Sequence, residues 1–219
     1  MGSVTTQLRA SSSSSFTHSL AYDVFLGYRG ADAHNNFTYN LHSKLLQQGI
    51  KTYLYRRGEE VPLPMLLKVI EESRVSIIIF TENFASSEWC LIELVKILQC
   101  RESKKQIVWP IYYKVDPLDV RDQQGSFGEA IANHFCTFKD NIEKVLRWRA
   151  ALTEATKLSG WYFLHGHESN FIHKIVEEVS TQWVFFHFHS IWGIEGIGKT
   201  TIVKAVYNSI DYKFEGSSW

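Results

Sequence analysis

Cysteine is scarce in this 219-residue chain: three thiols, Cys90, Cys100 and Cys136, and no CxxC pair. Cys90 and Cys100 would lie on one helix about 15 Å apart at 1.5 Å per residue, beyond disulfide reach. An odd, scattered set excludes a disulfide-stapled scaffold and suits a reducing compartment, the cytosol or the nucleus. Net charge is also lacking, with 23 basic and 23 acidic side chains. No long-range field therefore draws the chain to nucleic acid or to acidic membranes. Apolar runs are short, "VSIIIF" (75–80) among the longest, whereas a membrane helix needs about 20 residues. The N-terminus has no apolar stretch of signal-peptide length. What is present is a globular composition, 45% apolar and 21% charged, enough for one domain and something smaller.

Residues 1–20, with "SSSSS" at 11–15, read as a disordered serine-rich leader. "MGSVTT" fits the myristoylation pattern at Gly2 and Thr6, and only that modification would bring the chain to a membrane, weakly. Order begins at Tyr22 to Gly27, a short β-prone run closed by glycine. Phe37, Leu41, Leu45 and Leu46 then recur at helical spacing, with Gly49 a stop just beyond. "IKTYLY" (50–55) is a second strand, "RRGEEVPLP" a loop, "MLLKVIEES" (65–73) a helix and "VSIIIF" a strand apolar throughout. "SSEWCLIELVKILQC" (86–100) is a helix, "QIVWPIYY" (106–113) a strand and "KVDPLDVRDQQGS" a polar, turn-rich loop. In that loop Asp116 before Pro117 reads as turn chemistry, and Asp119 with Arg121 as a surface pair. Two or three helices fill 127–158, a short strand follows at 161–164, and "ESNFIHKIVEEVSTQ" (168–182) is a last amphipathic helix. Strands alternating with helices and long crossovers specify a doubly wound α/β sheet. Ligands in such folds gather at the carboxyl ends of the strands, which here carry "GYRGAD", "RRGEE", "TENFASSEW" and "KVDP".

In the helix around Glu93, Leu91, Leu94, Val95 and Leu98 share a face that packs on the sheet, with Cys90 and Ile97 beside it. Trp89 and Glu93 fall on the opposite side, four residues apart and therefore stacked, with Lys96 next along. Two readings follow. In one, Glu93 pairs with Lys96 on a solvated face and Trp89 is an edge residue. In the other, an aromatic plane borders a sugar or base while a carboxylate serves a glycosidic centre, whose oxocarbenium-like transition state negative charge stabilises. Spacing alone favours the first.

"YDVFLGYRG", "RRGEE", "LLKVIEESRVSIIIFTENFASSEWCLIELVKIL", "PIYYKVDPLDVRDQQGSFGEA" and "WRAALTEATKLSGW" together resemble the TIR (Toll/interleukin receptor) domain of plant immune receptors. The ordered series places that domain at 21–182. The resemblance implies a flavodoxin-like five-stranded parallel sheet, self-association through helix faces and with other TIR-type receptors, and cleavage of the nicotinamide–ribose bond of NAD+ as substrate, with no cofactor required. It reverses the preference at Glu93, which falls on the family's catalytic glutamate in "WCLxEL". It places Arg29 on the dinucleotide with Tyr28, Gly30 and Asp32, and Trp89 at the pocket's border. Two departures stand out. Ala31 in "YRGAD" replaces an acidic residue, and "TYLYRRGEE" reaches its arginines about three residues early, with Tyr55 in that region. The shortened loop leaves a second reading open, a catalytically weak adaptor that joins other TIR receptors.

The stretch 193–200, "GIEGIGKT", satisfies GxxxxGK[ST]. Gly193, Gly196 and Gly198 let backbone N–H groups face phosphate, Lys199 neutralises it, and Thr200 and Thr201 complete the loop. "WVFFHFHSIW" (183–192) reads as the strand before it, and "TTIVKAVYNSI" resembles the following helix of an NB-ARC domain. Only 19 residues follow Thr200, so 183–219 reads as a truncated NB-ARC start at which ATP or ADP with Mg2+ is not expected. Nucleotide-dependent switching through Lys199 is a third, lesser reading. "HGHE" (165–168) and "HFH" (187–189) lack a matching second ligand cluster, and no metal is expected there.

Overall fold

The structure is a computed structural model that describes residues 21–29, 36–55 and 61–188, with side chains described up to residue 182. Five strands form one parallel sheet in the order β2-β1-β3-β4-β5. They are β1 (Tyr22–Gly27), β2 (Thr52–Tyr53), β3 (Ser73–Phe80), β4 (Ile107–Tyr113) and β5 (Trp161–Phe163). The helices between and after them are α1 (Asn36–Gln47), α2 (Leu63–Glu71), α3 (Glu88–Lys104), α4 (Pro117–Asp122), α5 (Gly125–Thr137), α6 (Ile142–Ala155) and α7 (Glu168–Phe188). This is the doubly wound, flavodoxin-like arrangement expected.

Strand periodicity divides the core in two. Val75, Ile77 and Ile79 of β3 pack with Val24 and Leu26 of β1 beneath α1 and α7. Ile78 and Phe80 point the other way, joining Phe25 beneath α2, α3, α5 and α6. A strand buried on both faces needs an apolar side chain at nearly every position, which is why β3 reads as a continuous run.

Helix ends follow local chemistry. Ser87 caps α3 by accepting from the Cys90 N–H at 3.3 Å. Asp116 caps α4 by accepting from the Leu118 N–H at 2.8 Å, with Pro117 in the first turn where no N–H is needed. Gly49 takes φ +76° just past α1, the left-handed turn its sequence position suggested.

Several expectations need correction. The loop after β4 is largely the short helix α4, and Arg121 bonds Asp122 at 2.8 Å rather than Asp119. Strand β2 spans two residues, not six. Leu46 is exposed, off the core face of α1. Helix α7 continues to Phe188 through residues whose aromatic run suggested a strand; the β-propensity of Trp, Val and Phe yields to continuation of an established helix. The phosphate-loop residues Gly193, Gly196, Gly198, Lys199, Thr200 and Thr201 lie outside the described residues, as do 1–20.

Candidate active site

In the order 2-1-3-4-5, successive strands are added to opposite sides of β1, first β2 and then β3, and the crevice at the carboxyl ends of β1 and β3 is the fold's natural ligand position. Arg29 follows β1 at that end, partly buried. With Tyr28, Thr38, Ile79, Thr81 and Tyr113 it lines a small pocket. Helix α3, which follows β3, starts at the same end and delivers Trp89 and Glu93.

Glu93 does not lie on a solvated face. It is 2% exposed, one of seven buried residues on α3 with Cys90, Leu91, Leu94, Ile97, Leu98 and Cys100. The helical-wheel division fails here because α3 packs on more than the sheet: α2 and α6 flank it as well, so its buried arc is wider than a single stripe. Lys96, the partner expected for Glu93, instead reaches Glu71 of α2 at 3.2 Å. Trp89 stands one turn ahead of Glu93 and is 46% exposed, available to border an entering group.

The Glu93 carboxyl sits over Gly27 at the end of β1. A Cβ on Gly27 would stand 3.6 Å from Glu93 Oε2 and 3.2 Å from the ring edge of Phe25. The bare backbone at Gly27 thus makes room for the acid. Glu93 Oε1 is buried without a hydrogen-bond partner. Desolvation raises the Glu93 pKa to about 8, and the nearby Tyr55 hydroxyl offsets part of the rise. A buried carboxyl so perturbed, at a strand-end crevice, makes Glu93 a candidate functional residue.

Tyr55, just past β2, lies close to this carboxyl. Its hydroxyl donates to the Tyr28 carbonyl at 2.6 Å, and the Tyr28 hydroxyl donates to the Tyr55 carbonyl, also at 2.6 Å. The two rings stand 5.1 Å apart at 35°. Burial, and then the negative charge of Glu93, push the Tyr55 hydroxyl far above its ordinary pKa, so it remains a proton donor. Tyr28, expected at the dinucleotide, is 2% exposed in this arrangement. Gly30 and Asp32, with Ala31 between them, lie outside the described residues.

The structure therefore brings Arg29, Trp89 and Glu93 to one end of the sheet, and adds Gly27 and Tyr55. No spacing rule identifies the Tyr28–Tyr55 pair. Its members are 27 residues apart and meet only because β2 pairs with β1.

A parallel sheet in this order, with a buried acid on the helix after β3, fits a TIR-type domain, and the chain belongs to that family. Residues 21–192 match the family model "TIR domain". Among full-length relatives, the disease resistance protein RPV1 of Vitis rotundifolia is 44% identical across 98% of this chain, and the TMV resistance protein N of Nicotiana glutinosa 37% identical across 95%. The chain spans about a fifth of the length of these relatives, 18% and 21% respectively. Among solved structures, the TIR domains of the activated Roq1 resistosome, which directly recognises the pathogen effector XopQ, are 39% identical with a TM-score of 0.66. That match covers 73% of this chain and 99% of the other. The chain is thus a TIR domain whose relatives are plant disease resistance proteins.

Proposed function

We propose that this chain is a TIR-type NAD+ nucleosidase of plant innate immune signalling, active when its TIR domains associate. The observation that carries the reading is the Glu93 carboxyl, buried over Gly27 at the carboxyl end of β1 with its pKa raised to about 8. Membership of the TIR family and likeness to the Roq1 TIR domains support it.

In the proposed reaction, Arg29 holds the pyrophosphate and Trp89 borders the nucleotide. Glu93 hydrogen-bonds the ribose hydroxyls as the C–N bond to nicotinamide breaks. The bonding pair leaves with the nicotinamide nitrogen, neutralising its positive charge, so little acid assistance is needed. Water adds to the ribosyl carbon and releases a proton, giving ADP-ribose. One carboxylate then does what ordinary glycosidases divide between two. Self-association uses helix faces, and other TIR-type receptors are the expected partners.

The test is nicotinamide release from NAD+ by protein clustered on a support. Wild type is expected to release it, and Glu93→Ala to lose at least 100-fold, the scale of removing a group that stabilises transition-state charge (about 10²–10³). Equal release by both overturns the assignment of Glu93. A second reading, a TIR adaptor with little catalysis, is favoured by one observation: Glu93 is only 2% exposed. Partner-dependent signalling that survives Glu93→Ala would decide for it.

A further inference from the structure

The segment that carries the chain from β3 into α3 is gripped along its length by one face of α5. It passes through a 3-10 turn at Phe84–Ser86. Backbone N–H groups of the segment use three of its carbonyls: Phe84 donates to Thr81 at 3.0 Å, Ser86 to Asn83 at 3.1 Å and Ser87 to Phe84 at 3.2 Å. The carbonyls of Glu82 and Ala85 instead meet α5. Ser126 Oγ donates to Glu82 at 2.7 Å, and His134 Nε2 lies 2.9 Å from the Ala85 oxygen. A carbonyl only accepts, so Nε2 carries the proton of this bond. Ser126 and His134 stand about two turns apart on one side of the helix. Ala85 is fully buried and His134 is 9% exposed, so water has little access to replace the bond. Trp148 of α6 meets the imidazole edge to face at 5.0 Å. Lys144, above the Trp148 ring, reaches Glu88, the first residue of α3.

We propose that His134 is a positioning residue for the candidate site: through the Ala85 carbonyl it holds the turn at the head of α3 and so fixes where Trp89 stands. Its effect on catalysis rests on the reading of Trp89 and Glu93 as the NAD+ site, whereas its hold on the turn is measured without that reading. The two site residues respond differently to a loosened turn. Trp89 lies in the first turn of α3, where N–H groups lack intrahelical partners, and is 46% exposed. Glu93 lies one turn deeper, buried over Gly27 between Leu91, Leu94 and Ile97 of the same helix. Loosening the turn therefore disturbs nucleotide binding before it disturbs bond cleavage.

His134→Phe keeps an aromatic ring against Trp148 and removes the donor, leaving a buried carbonyl unpaired. His134→Gln restores an N–H donor at similar reach. Hydrogen–deuterium exchange of the intact chain, read peptide by peptide, is expected to quicken about tenfold over 82–92 in His134→Phe. Exchange in β4 stays unchanged, and His134→Gln stays close to wild type. Ser126→Ala frees only the Glu82 carbonyl; it quickens the same segment to a smaller degree and carries the test if His134→Phe does not fold. No change over 82–92, or a rise shared equally by β4, overturns the positioning role. Nicotinamide release by the same proteins, clustered on a support, then separates binding from chemistry. KM for NAD+ is expected to rise about tenfold in His134→Phe with kcat within about twofold, and His134→Gln to restore it. Both constants unmoved despite faster exchange overturns the proposal, and a fall in kcat at constant KM overturns the assignment to Trp89. Faster exchange over 82–92 with no nicotinamide released by any chain, wild type included, keeps the hold on the turn and removes the enzymatic reading.

Discussion

Glu93 shows how one residue carries both a cost and a use. An ordinary carboxyl loses its proton near pH 4.5, whereas Glu93 in the fold keeps it to about pH 8. Between those values the unfolded chain has released the proton and the folded chain still holds it. Stability is then full below about pH 4.5 and falls as pH rises through the window, by on the order of 5 kcal/mol if nothing else relaxes. Glu93→Gln keeps the shape and removes the titration. The difference in melting temperature between variant and wild type should be small at pH 5 and grow in the variant's favour up to pH 8. Parallel melting curves across that range would show that the acid is ionised in the fold. The same variant should release no nicotinamide, separating the stability cost of Glu93 from its chemistry. The Tyr55 proton bears on this balance too, since the Tyr28 carbonyl and the Glu93 carboxyl both draw on it.

At the scale of elements, the approach of β5 to β4 depends on one glycine. A Cβ on Gly160 would stand 2.1 Å from the Pro110 carbonyl oxygen and 2.6 Å from Pro110 Cγ. Pro110 is tolerated inside a central strand because β5 pairs only from Ile111 onward. The side on which proline lacks its N–H therefore meets the Gly160 backbone instead of a ladder partner. Gly160→Ala has no flexible neighbour to displace, and is expected to destabilise by at least ~2 kcal/mol. Urea unfolding measures the loss, and a midpoint unchanged from wild type would refute the clash. This contact was not legible in the sequence, where Gly160 sits among ordinary loop residues. Strands β1, β3 and β4 were, because burial on both faces leaves unbroken apolar runs. The two-residue β2 and the extension of α7 were not: the first is cut short where Tyr55 turns in to Tyr28, and the second overrides local β-propensity. Glu93 was legible as a residue through the motif it shares with its family, but its burial was not, because a wheel drawn for one packing face misses a helix held on three sides.

At the scale of the whole molecule, the helix layer holding Glu93 also presents apolar surface. Ile142 and Leu146, one turn apart on α6, and Leu118 on the adjoining α4 are exposed. Between the two α6 residues, Lys144 reaches Glu88 at the start of α3 and stacks on Phe138 and Trp148. A face on α6 is thus tied through one ion pair to the turn that carries Trp89. If self-association uses this face, burying the three apolar side chains supplies part of its driving force, roughly 1.5–3 kcal/mol for each when fully covered. Charged replacements at such exposed positions leave folding stability within about 0.5 kcal/mol, so their effect falls on assembly. Ile142→Lys with Leu146→Lys is expected to shift the protein toward monomer in sedimentation velocity and to lower nicotinamide release in free solution at high protein concentration. Attachment to a dense support should restore much of that release, because tethering replaces affinity with proximity. Unchanged sedimentation would place the association surface on another helix face. Lost association with undiminished release in dilute solution would show that a single copy of the domain completes the site.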